Sequence, residues 1–359
     1  MSDLKINNIT DRTGNAGPII AGVSTVTSTG AFVVPVGPTE MRGGRGRGIV
    51  AGGTNPSGTY LNSIEYIEIA TTGNAVDFGD LSEIKRQLTG ASSSTRGVVI
   101  GGQISPGNYA TKGIEYVTIS SGGGASDFGD LRPSYRIIDS AGVTSNIKGF
   151  ACGGVNTPAG TASGPEEGQY GRSIDYITFA TLGDATKWAE LSHTGRQLNA
   201  GCESATRGII GGGYAGPSPD NSAVNTIQYI TFTSQGNSEL FGSLTVARRN
   251  VIAVSDKTRG VFMGGTVGDN VIDYITIASL GNAIDFGDLT ISGLVNGAPA
   301  QNTTRGVYMG GDPPSPLSAQ NTITYITIQS AGNATDFGDL ITARENVPAG
   351  LCDINAGNS

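Results

Sequence analysis

The sequence predicts an all-β protein assembled from six copies of one four-stranded unit. Three observations predict it. The first is a repeat: "IEYIEIATTGNAVDFGDL" begins at Ile64, and its cognates begin at Ile114, Ile174, Ile227, Ile272 and Ile323. Their tyrosines, Tyr66, Tyr116, Tyr176, Tyr229, Tyr274 and Tyr325, fall 50, 60, 53, 45 and 51 residues apart, the period range of repeat arrays. The second is composition. Glycine supplies 57 of 359 residues with no Gly-X-Y phase, which excludes collagen and favours turn-rich β structure. The third is punctuation: Gly-Gly closes a short apolar run in every copy, from Gly52-Gly53 to Gly310-Gly311.

The elements follow in chain order. Residues 1–40 precede the repeat, and alternating apolar residues in "PIIAGVSTVT" and "GAFVVPVG" predict two short strands with too little material for a core. Such a segment gains stability by adding strands to a neighbour, so it reads as a docking arm for another chain or for a second copy of this one. "RGGRGR" over Arg42–Arg47 makes residues 41–46 a flexible connector. In the second copy, "RQLTGASS" is a strand of small residues suited to a crowded axis, "STRG" a turn and "VVIGG" an apolar strand. "IEYVTI" is apolar on both sides of its pleat, as a sheet covered on both faces requires, and "SDFGDL" is the last strand. "GNA" between these two reads as a hairpin turn. The first copy begins at its second strand, "RGIVAGG", from Arg47, and the missing first strand comes after the sixth copy in "ARENVPAGLCD". Residues 343–354 therefore complete the first unit of a ring spanning 47–354, and 355–359 are a tail. Closure of this kind removes the free strand edges that invite aggregation.

An Arg before the inner strand, an apolar strand ending in Gly-Gly, a Tyr on the third strand and an aromatic on the fourth resemble the kelch repeat family over residues 47–354. The resemblance implies a six-bladed kelch-like β-propeller. Two departures mark it as divergent: Tyr66 and Phe78 stand further apart than the family's pair, and Phe replaces Trp except at Trp188.

Composition excludes several functions. Charged residues are 14% of the chain and net charge is −8, without the clustered Lys and Arg of a nucleic-acid footprint. No apolar run approaches the ~18 residues of a membrane span, and "MSDLKINNIT" lacks the apolar core of a signal peptide, so a soluble protein made in a cytoplasm is expected. Cys152, Cys202 and Cys352 lack metal or redox spacing and read as buried thiols. His193 is the single histidine, too few for a copper or zinc centre. "DFGD" at Asp77, Asp127, Asp285 and Asp336 shares only letters with the kinase magnesium motif. Asn74, Asp77 and Asp80 have oxygens for calcium but read as turn caps. No metal, cofactor or catalytic residue is expected.

Basic residues recur at the hand-over from fourth to first strand: Arg86, Arg136, Arg196, Arg248 and Arg344. They would line an anion site or brace each unit on backbone carbonyls and acids, and a residue repeated in nearly every copy serves the copy. The "TRG" turn basics, Arg47, Arg96, Lys148, Arg207, Arg259 and Arg305, are read alike. Variation is concentrated in the connections between second and third strands, from "TNPSGTYLNS" to "DPPSPLSAQNT", on the same end as the fourth-to-first connections. Variable loops on a rigid scaffold carry recognition. Tyr60, Tyr109, Tyr170 and Tyr214 lie in these loops and Tyr135 in a fourth-to-first connection, and they are the candidate binding residues for stacking on sugars or on protein.

"INNITDRTGNAGPIIAGVSTVTSTGAFVVP" and the "YITIATxGNAxDFGDL" repeat are similar to structural proteins of tailed phages that infect marine cyanobacteria. That similarity implies a virion component assembled in the host cytoplasm. Residues 1–40 would anchor it to other virion proteins, and the loop end would meet host surface glycan or a neighbouring virion protein. A cellular kelch-like adaptor and a propeller glycoside hydrolase, which would need a carboxylate pair facing the channel, are the alternatives.

Overall fold

The computed structural model describes residues 46–106, 109–132, 136–156, 171–192, 196–216, 222–266, 270–314, 318–346 and 348–353. The arm, nearly all of the connector, Tyr135, Tyr170 and His193 lie outside the described residues. Every regular element among the described residues is a β-strand.

Five four-stranded antiparallel sheets and one extended to six strands repeat a single order. In sheet 2, Thr89–Ser92 pairs with Arg96–Ile100, which pairs with Gly113–Thr118, which pairs with Ser126–Asp130. Sheets 3 to 6 begin with Ala141–Thr144, Ala200–Glu203, Ile252–Ser255 and Ala298–Gln301. They end with Thr186–Glu190, Glu239–Ser243, Ile284–Asp288 and Thr335–Asp339. Sheet 1 draws on both ends of the repeat region: Ala349–Cys352 pairs with Arg47–Ala51, followed by Leu61–Glu68 and Val76–Arg86.

Sequence explains these strands. Second and third strands are rich in Val, Ile, Tyr and Phe, which suit a pleated surface buried on both sides. The Gly-Gly pair then takes positive φ, +67° and +98° at Gly52 and Gly53, and turns the chain out of the sheet. In every sheet the third-to-fourth register slips at the same place, between Ile64 and Glu65 in sheet 1, leaving Phe78 as the extra residue of a bulge; the longer strands of sheet 1 slip a second time, between Leu61 and Ser63. Its ring meets Tyr66 edge-on at 6.0 Å, and the other five sheets repeat this pairing at 5.6 to 6.1 Å. The repeated tyrosines are therefore half-buried, with only Tyr229 counted in the core.

The core is divided among the sheets. Six apolar clusters each join two neighbouring sheets, Val99 of sheet 2 with Ile49 of sheet 1, for example, and Val307 of sheet 6 with Val50 of sheet 1. The first strands adjoin one another in cyclic order, with Ala349–Cys352 lying against those of sheets 2 and 6. Small residues are required there: a Cβ on Gly142 would sit 1.9 Å from the Gly90 carbonyl oxygen. All six first strands or their approaches line one axial cavity of about 80 Å³, which contains no charged side chain.

Candidate functional site

Two ends of the sheet assembly differ in chemistry. At the end bearing the "TRG" turns, one arrangement recurs. Arg47 lies 4.5 Å above the Tyr66 ring, and its Nη1 donates to the Ile119 carbonyl of sheet 2 at 2.9 Å. Arg207 and Arg259 reach the carbonyls of Ile277 and Ile328 at 2.9 and 3.0 Å, Arg96 reaches Phe179, and Arg305 of sheet 6 reaches Ile69 of sheet 1 at 2.9 Å. Cation–π contact and a charged hydrogen bond hold each of these side chains in place and link its sheet to the next.

The "GNA" segment lies in the connection between the paired third and fourth strands, as expected of a hairpin, and it also bonds outward to the preceding sheet. Gly73 and Ala75 donate to the carbonyls of Phe337 and Asp339 at 2.9 and 2.8 Å, and Asn74 Oδ1 accepts the Asp339 N–H at 3.0 Å. Asp184, Asn237, Asn282 and Asn333 repeat the side-chain cap on the sheet before their own. Asn74 is thus a strand cap, and Asp77 and Asp80 are exposed.

The five hand-over arginines do not occupy one position. Arg344, Arg248 and Arg196 are equivalent and buried: each Nη1 donates to two backbone carbonyls, those of Gly52 and Ser63, of Gly264 and Val271, and of Gly212 and Thr226. Arg344 also pairs with Glu65, and Arg248 Nη2 lies 2.8 Å from Asp273 Oδ2 as an ion pair without hydrogen-bond alignment. In sheet 2 this position belongs to Lys85, paired with Glu115, and Arg86 is one residue further on. In sheet 3 it belongs to Ile137, with Arg136 one residue earlier, and Arg132 holds Asp175 instead at 2.7 Å. A one-residue slip in a strand reverses the side it faces, and a sequence alignment by residue type overlooks such slips. Sheet 4 differs again: Gln228 stands where sheets 1, 2, 3 and 5 place the acid, as Thr324 does in sheet 6, and burial pulls the Arg196 pKa down to about 10.

The loop end is built from unlike parts. Two or three residues before each first strand, one residue takes positive φ: Gln87, Asp139, Leu198, Asn250, Asn296 and Asn346, between 56° and 62°. Neighbours are linked by backbone bonds, Leu198 N–H to the Asp139 carbonyl and Asn250 N–H to the Leu198 carbonyl, both 2.9 Å. Asn and Asp tolerate this conformation, and Gln87 and Leu198 are the costly exceptions. Asp139 is buried, accepts from Gln87 Nε2 at 2.8 Å, and has its carboxyl pushed up to about 7 by burial.

Among the candidate tyrosines, Tyr60 is 9% exposed: Arg86 lies 4.6 Å over its ring and its hydroxyl donates to Gln103 Oε1 at 2.9 Å. Tyr214 is half-buried beneath Arg249 at 4.6 Å. Tyr109, at 37%, is the exposed one of the three, on the short strand Tyr109–Ala110 that extends sheet 1. The loop end thus unites Tyr60, Arg86 and Gln103, and Tyr214 with Arg249; the reading from sequence missed Gln103 and Arg249.

At the opposite end of the axis lies a polar ring. Cys352 N–H donates to Ser92 Oγ, Ser92 to Thr144 Oγ1, Thr144 to Glu203 Oε2, Glu203 to Ser255 Oγ, and Ser255 to Gln301 Oε1, at 3.1 to 3.4 Å. Glu203 is buried, without a cation beside it in the ring, and burial pushes its carboxyl up to about 8. The three cysteines are free and buried. Among the described residues, no three His, Cys, Asp or Glu side chains stand together as a metal-binding group. No family model matches this chain, and no curated protein matches it.

Proposed function

We propose that the chain is a six-bladed, kelch-like β-propeller acting as a non-enzymatic structural protein of a virion. Residues 1–40 attach it to other virion proteins, and the loop end of the propeller binds a glycan of the host surface. One observation carries the binding role: the repeated arginines of the "TRG" end are held between a ring and a carbonyl of the next sheet, whereas at the loop end the side chains differ from sheet to sheet. Exposed Tyr109, beside loops rich in Asn, Ser and Gly, offers an apolar face and a polar tip of the kind sugars stack on. The virion assignment rests on the likeness of the leader and the repeat to structural proteins of cyanobacterial phages.

The test is to mix the full chain, a chain lacking residues 1–40 and a Tyr109→Ala chain with host cells and measure the protein retained. Equal retention of the first two and reduced retention of the third is expected. A full chain that ignores host cells but binds purified particles would replace the glycan by a neighbouring virion protein.

A further inference from the structure

At the loop end every sheet pairs the residue after Gly-Gly with the residue before the positive-φ position. These pairs are Thr54 with Glu345, Gln103 with Arg86, Val155 with Ile138, Tyr214 with Gln197, Thr266 with Arg249, and Asp312 with Val295. Neighbouring sheets meet near these positions. Between sheets 1 and 2 the Arg86 guanidinium covers Tyr60, and between sheets 4 and 5 Arg249 covers Tyr214. Between sheets 6 and 1 two acids meet instead: Gly311 N–H donates to the Arg344 carbonyl at 2.8 Å, which brings the following residues, Asp312 and Glu345, together with their carboxyl groups in contact.

Two carboxylates in contact repel unless something positive lies between them. Arg86 is near enough to act on Glu345, but its guanidinium is held by the Tyr60 ring and, at 2.8 Å, by Gln103 Oε1. Thr54 adds an independent sign. It is directly opposite Glu345 in the ladder, so both side chains project on the same side with Cβ atoms about 4.5–5.5 Å apart. Thr54 is 1% exposed, and its hydroxyl oxygen has no hydrogen-bond partner. Asn346 Nδ2 steadies Glu345 Oε1 at 3.2 Å.

We propose that Asp312, Glu345 and the Thr54 hydroxyl hold a divalent cation of the calcium class, which ties sheet 6 to sheet 1 at the loop end. The donors are all oxygen, two carboxylates balance the double charge, and calcium accepts an irregular oxygen set completed by water. This site is separate from the Asn74, Asp77 and Asp80 pattern and independent of any glycan.

The experiment is thermal unfolding of the full chain at pH 8, stripped with EDTA, then with 10 mM CaCl2. A rise in Tm of roughly 3–6 °C is expected, as for a site of submillimolar affinity. It should vanish in Asp312→Asn and Glu345→Gln, which keep side-chain shape, and persist in Asp77→Asn. Terbium luminescence sensitised by tyrosine, competed by calcium and lost in the same two variants, reads the site without depending on stability. No rise in the unaltered chain, or a rise that survives in both variants, would overturn the proposal.

Discussion

Single residues carry the clearest energetic arguments. Arg196 is buried with two carbonyl acceptors and no acid, and Gln228 leaves its buried Nε2 unpaired while its Oε1 accepts from Ser192. Gln228→Glu keeps the acceptor, removes the orphaned amide and supplies the counter-charge that Arg344 and Arg248 already have. It is expected to stabilise the fold by about 1–3 kcal/mol, read as a higher denaturant midpoint at pH 7. Glu203 gives a pH dependence. Its folded pKa of about 8 lies above the unfolded carboxylate value, so the native state binds the extra proton. That contribution is fully present below about pH 4, declines as pH rises, and is lost above about 8. Glu203→Gln should flatten the slope and, at pH 8, raise stability by roughly 1–3 kcal/mol in denaturant titrations at pH 6 and 8.

At the scale of the element, the "DFGD" strand and the "GNA" turn are one device seen from two sheets. A Cβ on Gly79 would stand 2.5 Å from the backbone carbon of Gly123, in the turn of sheet 2. Gly129, Gly242, Gly287 and Gly338 meet Gly183, Gly281, Gly332 and Gly73 in the same way. Sheet 3 is the natural variant: Ala189 replaces the glycine, and Gln235 Nε2 of sheet 4 bonds the Trp188 carbonyl at 2.6 Å. Gly79→Ala is therefore expected to cost about 2–4 kcal/mol, and Ala189→Gly less than about 1 kcal/mol, both read from chemical denaturation. Periodicity made the strands and their order legible, because small, apolar and turn residues recur at fixed offsets. The clasp was not legible, since a turn's partners depend on which sheet comes to lie beside it.

At the scale of the whole molecule, stability is shared among interfaces that repeat between sheets 6 and 1. Cys352 of the last strand and Val50 of sheet 1 sit in one apolar cluster with Val307 and Met309 of sheet 6, and Asn74 of sheet 1 caps Asp339 of sheet 6. Removing residues 344–359 deletes the strand Ala349–Cys352 and the Arg344–Glu65 pair together. That chain is expected to lose its single cooperative melting transition and to bind a hydrophobic dye, because two apolar clusters and a strand edge become exposed. A single sharp transition near that of the full chain would contradict this account.

By itself the sequence determined the all-β class, the repeated four-strand order and the pairing of Ala349–Cys352 with Arg47–Ala51. These are consequences of residue periodicity, which is local and visible in one dimension. Only the tertiary structure decided that Lys85 and not Arg86 fills the buried basic position, that Arg86 and Arg249 cover Tyr60 and Tyr214, and that Asp312 meets Glu345. Those outcomes depend on one-residue register and on contacts between sheets, where side chains distant in sequence share a low-dielectric space.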